Sequence, residues 1–193
     1  MNRLLIIPDE KFEPLTLELK TRLVTIAKEL RWEHLTDLLA AEGTFLLSTI
    51  RHVQDSREIQ IWSKSPTGFI VVWSSKGKND VAVGRVTAEL GRGLINQVFE
   101  SARPEMKEGE FLNASDWTNL EQKRGVKLRS MAAHPITIFG RCVAVLSLSQ
   151  FVDTHTAQSA DCTDARTAGA ASSLLARLIE DRLIRSCLAL TQA

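Results

Sequence analysis

Residues 127–151 contain two runs rich in apolar residues, the second of them alternating, and they predict two β-strands joined by a tight turn. The first strand is expected over about residues 129–138 and the second over residues 142–149. Gly140 lies in the short turn between them, as is typical of a hairpin. The two strands are therefore expected to pair with each other in antiparallel fashion.

A second group of strands is predicted earlier in the chain. Residues 58–62 alternate with a period of two, as expected of a half-buried strand. Residues 69–73 are more continuously apolar, which indicates a strand buried on both faces. Residues 65–68 form the turn between these two strands. A third strand is predicted within residues 80–90.

Helical periodicity is found at both ends of the chain. Apolar positions recur at helical spacing in residues 15–30, and after a change of phase in residues 35–53. Gly43 lies inside the second run, where it costs roughly 1 kcal/mol relative to alanine. In residues 168–190 the apolar arc is wide enough to face both a sheet and another helix.

A short helix and a long loop connect the two groups of strands. Residues 91–93 open the short helix, and the loop is predicted over residues 105–126. Loops of this length are usually lids or binding loops. The order of elements predicts an α+β fold of antiparallel strands covered by terminal helices. We divide the chain into an N-terminal helical extension, residues 1–54, and a second domain, residues 55–193.

The composition fits a globular protein and excludes several classes of partner. The apolar fraction is 44% of 193 residues, which is enough to bury a core. The net charge of +1 argues against nucleic acid or an anionic membrane as a partner. No apolar run approaches the roughly 20 residues that cross a bilayer, and the N-terminus lacks a secretory signal. We therefore expect a cytoplasmic protein.

The cysteines and histidines form no motif. Cys142, Cys162 and Cys187 are widely spaced, without a CxxC or Cys/His cluster, so neither a disulfide framework nor a metal site is predicted. Cys142 and Cys187 are interpreted as packing residues. Cys162 is the one candidate for a reactive thiol, with an inert thiol as the alternative. No set of residues reaches the quality of a catalytic motif, so no catalytic residue is assigned and an enzyme is not expected.

Taken in order, five segments of the sequence resemble the GAF domain family. They are residues 59–62 and 69–72, which resemble its opening hairpin, residues 91–104, which resemble GxGLxGxVxxxGxP, residues 129–136, which resemble RSLLAVPL, and residues 140–148, which resemble GRVIGVLSL. The resemblance covers about residues 55–190. Three positions depart from the pattern. Asn96 stands in place of a third glycine, Ala102 in place of a glycine before the proline, and His134 in place of a small apolar residue.

The resemblance implies a central antiparallel sheet of about five to six strands. It places the terminal helices on one face of the sheet and a small-molecule pocket on the other. Such domains commonly dimerise through their terminal helices, so we expect a homodimer with Leu174, Leu178 and Leu183 as candidate interface residues. The residue set that accompanies cyclic nucleotides and the Cys-His pair that accompanies bilins are lacking, so the ligand or cofactor is left unassigned.

Four residues are candidates for the pocket. Phe111 and Trp117 can form an apolar lid or a plug that closes an empty pocket. Arg129 suits a carboxylate or phosphate, or is a surface residue at the start of a strand. His134 is either a core residue with satisfied polar atoms or a ligand-binding group. Its direction decides, because a side chain facing the terminal helices indicates packing and one facing the loop of Trp117 indicates a ligand site.

The resemblance implies a sensory or regulatory module. Such a module binds a small ligand or an unidentified protein partner and signals through its terminal helices, with no output domain in this chain. One alternative is a scaffold or interaction subunit with a vestigial pocket. The second alternative is a cysteine-based redox enzyme of the methionine sulfoxide reductase type, in which Cys162 is the reactive residue.

Overall fold

The computed structural model describes residues 32–49, 58–76, 83–108, 126–138, 140–153 and 165–190, with six further positions between residues 13 and 25. Within them the elements are α1 (Trp32–Thr49), β1 (Glu58–Ser65), β2 (Gly68–Ser74), β3 (Val86–Ala88), α2 (Gly93–Ser101), β4 (Glu105–Glu108), β5 (Val126–Ile138), β6 (Arg141–Asp153) and α3 (Ala165–Leu190).

The strands form one six-stranded sheet in the order β3-β2-β1-β6-β5-β4. Every neighbouring pair is antiparallel. The hairpin predicted over residues 127–151 is the pair β5–β6, and its strand β6 lies at the centre of the sheet beside β1. The predicted α+β fold with a sheet of five to six strands is confirmed.

Two separate apolar clusters occupy the two faces of the sheet, because successive side chains of a strand point to opposite faces. The helix face packs against α1 and α3, and its buried residues include Leu39, Leu46, Ile59, Ile61, Trp73, Ile136, Leu146, Leu175, Ile179 and Leu183. The opposite face, here called the α2 face, carries Trp62, Phe69, Val71, Ala133 and Val145 against Leu94, Ile95 and Val98 of α2. The helices α1 and α3 therefore share one face, as the resemblance to the GAF domain family implies.

Polar contacts fix α1 and α3 to each other. Arg182 of α3 donates its Nε–H to the buried carboxylate of Glu42 in α1. The guanidinium of Arg182 also stacks 3.6 Å from the ring centroid of Phe45, a cation–π contact. Since Leu39 and Leu46 lie in the same core as the sheet, α1 packs as one layer with α3. The boundary at residue 54 stays a prediction.

Several elements differ from their predicted extent. The strand β4 was not predicted, because three of its four residues are charged. It forms as an edge strand on the free side of β5, where Glu105 pairs with Ala133 and Glu108 with Ser130. The predicted strand within residues 80–90 is reduced to β3, and most of the predicted helix over residues 15–30 lies outside the described residues.

Two of the departures from the family pattern, Asn96 and Ala102, lie near the two ends of α2. Asn96 accepts a hydrogen bond from the backbone N–H of Gly91 through its Oδ1 atom at 2.9 Å, and so closes the turn before the helix. Gly91 and Gly93 have positive φ angles of 79° and 76°. At the other end, Ala102 has φ 50° and ψ 31°, the left-handed conformation that glycine adopts without steric cost.

No described helix is both long enough and apolar enough to cross a membrane.

Candidate functional site

A row of polar side chains crosses the α2 face of the sheet beside the apolar cluster. Glu58 and Gln60 of β1 share a face with Trp62, because they lie four and two residues before it in one strand. The register of β6 places Ser149 opposite Glu58 and Ser147 opposite Gln60. On the other side of β1, β2 places Ser74 opposite Gln60. We call these residues the polar floor: Glu58, Gln60, Ser74, Ser147 and Ser149.

The polar floor is buried. The exposed fraction of its members lies between 0% for Ser147 and Ser149 and 3% for Glu58. A polar group removed from water costs free energy unless it forms a hydrogen bond, so each buried atom of this row needs a partner.

Most of these atoms have partners within the row or beside it. The indole Nε1–H of Trp62 donates to Ser147 Oγ at 2.8 Å. The side-chain Nε2 of Gln60 donates to Glu58 Oε1 at 2.6 Å. The second oxygen of Glu58 lies 2.7 Å from Nζ of Lys76, a side chain that is half exposed. The negative charge of Glu58 is thus paired with the ammonium group of Lys76, whose side chain extends from the surface.

Ser149 is the exception. Among the described residues, its Oγ is the one buried side-chain nitrogen or oxygen atom without a hydrogen-bond partner. Leaving such a group unsatisfied costs about 1–3 kcal/mol. Its neighbours across the sheet are Glu58 on one side and Met131 on the other. The hydroxyl of Ser149 is therefore available both to donate a hydrogen bond to a ligand and to accept one.

Three of the four candidate pocket residues predicted from the sequence have no described side chain. Phe111 and Trp117 lie outside them. Arg129 lies in β5 at a register shift between Leu128 and Ser130, and its side chain is not among those described. Their proposed pocket roles stay predictions.

His134 faces the terminal helices. Its Nδ1 lies 2.7 Å from Ser172 Oγ in α3. Because Ser172 donates its single hydroxyl proton to the carbonyl oxygen of Gly169, Nδ1–H of His134 is the donor. Burial lowers the pKa of His134, Arg177 lowers it further, and Glu180 acts in the opposite direction. The orientation of the His134 side chain toward α3 favours the packing interpretation.

The described cysteine has the properties of a packing residue. Cys142 Sγ donates to the carbonyl oxygen of Ala144 at 3.2 Å. Burial raises the pKa of Cys142 to about 11, so the thiolate is scarce near neutral pH. Cys162 lies outside the described residues, and the side chain of Cys187 is not described. Within the described part of the chain, no group of three or more potential metal ligands exists.

The three candidate interface residues of α3 divide into two groups. Leu174 and Leu178 are 60% and 41% exposed and lie one helical turn apart. Leu183 is fully buried in the cluster of the helix face, so it is not available to a second copy. The interface prediction is corrected at Leu183, because the wide apolar arc of α3 turns that position toward the sheet.

The sequence matches no protein-family model and no curated protein, whereas solved structures share its fold. Residues 122 to 287 of a methyl-accepting chemotaxis protein are 17% identical, with a TM-score of 0.54 over 80% of this chain and 91% of that one. The GAF domain from an Acinetobacter phosphoenolpyruvate-protein phosphotransferase is 17% identical, with a TM-score of 0.51 over 91% and 95%. The chain has a GAF-like fold. The reduced form of fRMsr of Staphylococcus aureus is 12% identical, with a TM-score of 0.51 over 75% and 83%. At these identities the likeness concerns the fold alone.

In this GAF-like sheet the polar floor lies on the face that α1 and α3 leave uncovered. Sequence reasoning missed it, because polar residues that alternate with apolar ones are expected to face water. A signal was present at Trp62. This large apolar residue continues the row of Glu58 and Gln60, which indicates that the same face is buried.

Proposed function

We propose that this chain is a cytoplasmic GAF-like sensory module that binds a small molecule on its polar floor and signals through its terminal helices to a protein partner. The observation that carries the proposal is the unpartnered hydroxyl of Ser149 within a row of buried polar groups. A structural row of this kind has no need of an unused donor and acceptor, whereas a binding site does.

The strand β1 contacts both the polar floor and the core beneath the terminal helices, so a change at the floor can reach the helices through it. Gln60 faces the floor, and its neighbours Ile59 and Ile61 face the core shared with α1 and α3. A ligand that shifts β1 therefore changes the packing beneath both helices. The contact between Arg182 and Glu42 makes α1 and α3 respond together.

Signalling through α3 would act on a second copy of the chain. Leu174 and Leu178 form an exposed apolar stripe that the described residues leave uncovered. Arg177 and Asp181 are exposed beside this stripe and lie four residues apart, so opposite charges are available to pair between copies. We infer a homodimer that forms along this stripe of α3.

Native mass spectrometry of the purified chain tests the binding proposal. A bound small molecule, or thermal stabilisation by members of a metabolite panel, would support it. The binding should be lost in Ser149→Val and kept in Ser63→Ala, a buried serine opposite Ala144 of the helix-face cluster. A clean mass of the free chain and no stabilisation by the panel would contradict it and favour a scaffold with a vestigial pocket.

A further inference from the structure

We propose that the group buried against the polar floor is an uncharged hydrogen-bonding group, such as an amide, attached to a flat apolar body. This inference rests on the proposed binding site and adds the chemical class of its ligand. It excludes ligands that would bury a carboxylate or phosphate at this position.

The hydrogen-bonding groups left over on the polar floor are neutral. Ser149 Oγ can both donate and accept, since it has no partner. Ser147 Oγ accepts from Trp62 and so retains its own proton for donation. Gln60 donates from Nε2 to Glu58, which leaves its amide oxygen as an acceptor. Hydroxyl donors next to an amide acceptor match a ligand amide, which presents one acceptor and one donor edge.

The charge of the row disfavours an anion. Glu58 is the buried charge of the polar floor, and it lies directly across the strand pair from Ser149. Opposed side chains in a sheet have Cβ atoms about 4.5–5.5 Å apart, so a group bound to Ser149 lies close to the carboxylate. Because a second negative charge this near would be repelled in a poorly solvated site, a carboxylate or phosphate is disfavoured.

A cation is also disfavoured, because Lys76 already supplies the positive charge at Glu58. A ligand ammonium group would have to displace that ion pair to gain the same interaction.

The apolar part of the ligand follows from the neighbouring residues. The fully buried ring of Trp62 adjoins the row, and Met131 lies opposite Ser149. Pockets of this kind combine apolar walls with a few polar groups that fix orientation. A ring carrying an amide would place its polar edge on Ser149 and Gln60 and its faces against these apolar side chains.

Three probes with one ring and different end groups test this class: benzamide, benzoate and benzylamine. Binding is measured by saturation-transfer NMR at millimolar probe concentration, on the native chain and on variants whose folding is checked by thermal unfolding. Benzamide is expected to bind the native chain and Ser63→Ala. In Ser149→Val, or in Ser149→Ala if the valine variant does not fold, its signal should fall at least about fivefold, as expected for one lost hydrogen bond.

Glu58→Gln provides the charge test, because it removes the carboxylate that lies across the strand pair from Ser149. Benzoate should not bind the native chain but should bind Glu58→Gln. Ser149-dependent binding of benzoate or benzylamine to the native chain, equal to that of benzamide, would overturn the ligand class while upholding the site. Absence of Ser149-dependent binding by every probe would overturn the site itself, and with it this inference.

Discussion

Trp62 and Trp73 lie on opposite faces of the sheet, although they belong to neighbouring strands. Trp62 belongs to the cluster of the α2 face and donates its indole N–H to Ser147 of the polar floor. Trp73 belongs to the helix face, where its ring lies directly beneath Gly43 of α1. The two indoles therefore report separately on the candidate ligand site and on the packing of the terminal helices.

Gly43→Ala should destabilise the fold. A Cβ atom at this position would overlap the ring of Trp73, which is buried in the core that α1 and α3 share with the sheet. Overpacking costs about 1–3 kcal/mol, against a gain of roughly 1 kcal/mol in helix propensity. Urea unfolding should show a net loss of stability. Thr44→Ala, at the exposed next position of α1, is the control and should be neutral or slightly stabilising, because alanine has the higher helix propensity. Stabilisation by Gly43→Ala would contradict the close approach of α1 to β2.

Ala102→Gly should stabilise the protein. Ala102 is exposed and holds the left-handed conformation at the end of α2, which costs a non-glycine residue about 1–2 kcal/mol. After the larger unfolded-state entropy of glycine is deducted, the expected gain is about 0.5–1 kcal/mol. Ala170→Gly, at an exposed position within α3, should have the opposite effect of similar size. A loss of stability in both variants in thermal unfolding would refute this reading of the helix end.

His134 should make the stability depend on pH. Its pKa is lowered in the folded protein, so below about pH 6.5 the unfolded chain binds a proton that the folded chain resists. The free energy of unfolding should therefore fall as the solution is acidified through this range, by at most about 1.4 kcal/mol per pH unit. Urea unfolding at several pH values should show a shallower dependence in His134→Gln. An unchanged dependence would mean that His134 is not buried against α3.

Leu174 and Leu178 should determine the oligomeric state. Glutamate at both positions would put charge into the apolar stripe of α3 and should convert the expected dimer to a monomer without loss of secondary structure. Light scattering and analytical ultracentrifugation at micromolar concentration measure this change. Leu90→Glu, at an exposed leucine before α2, is the matched control and should leave the dimer intact. A native chain that is already monomeric would rule out the helix-mediated dimer.

The sequence indicated the sheet and α3 because their patterns are local. Period-two and period-3.6 alternation is read from neighbouring residues, and it identified β1, β2, β5 and β6. Features that depend on distant partners were not accessible in this way. The role of Gly43 depends on Trp73, which is 30 positions later, and β4 exists because β5 has a free edge.

The candidate site shows the same limit. The pairing of β1 with β6 places Glu58 and Gln60 beside Ser149 and Ser147, and neither strand alone shows that they form one row. His134 was identified as unusual from the sequence, but its direction required the position of Ser172.

The indole N–H signals of Trp62 and Trp73 in a proton–nitrogen NMR correlation spectrum test the central proposal most directly. Each signal is assigned by its loss in Trp62→Phe or Trp73→Phe. Addition of benzamide should shift the Trp62 signal, whose N–H donates to Ser147 in the polar floor, more than the Trp73 signal on the opposite face. A shift of Trp73 with Trp62 unmoved, or no shift of either with benzamide, benzoate or benzylamine, would contradict a ligand site on the polar floor.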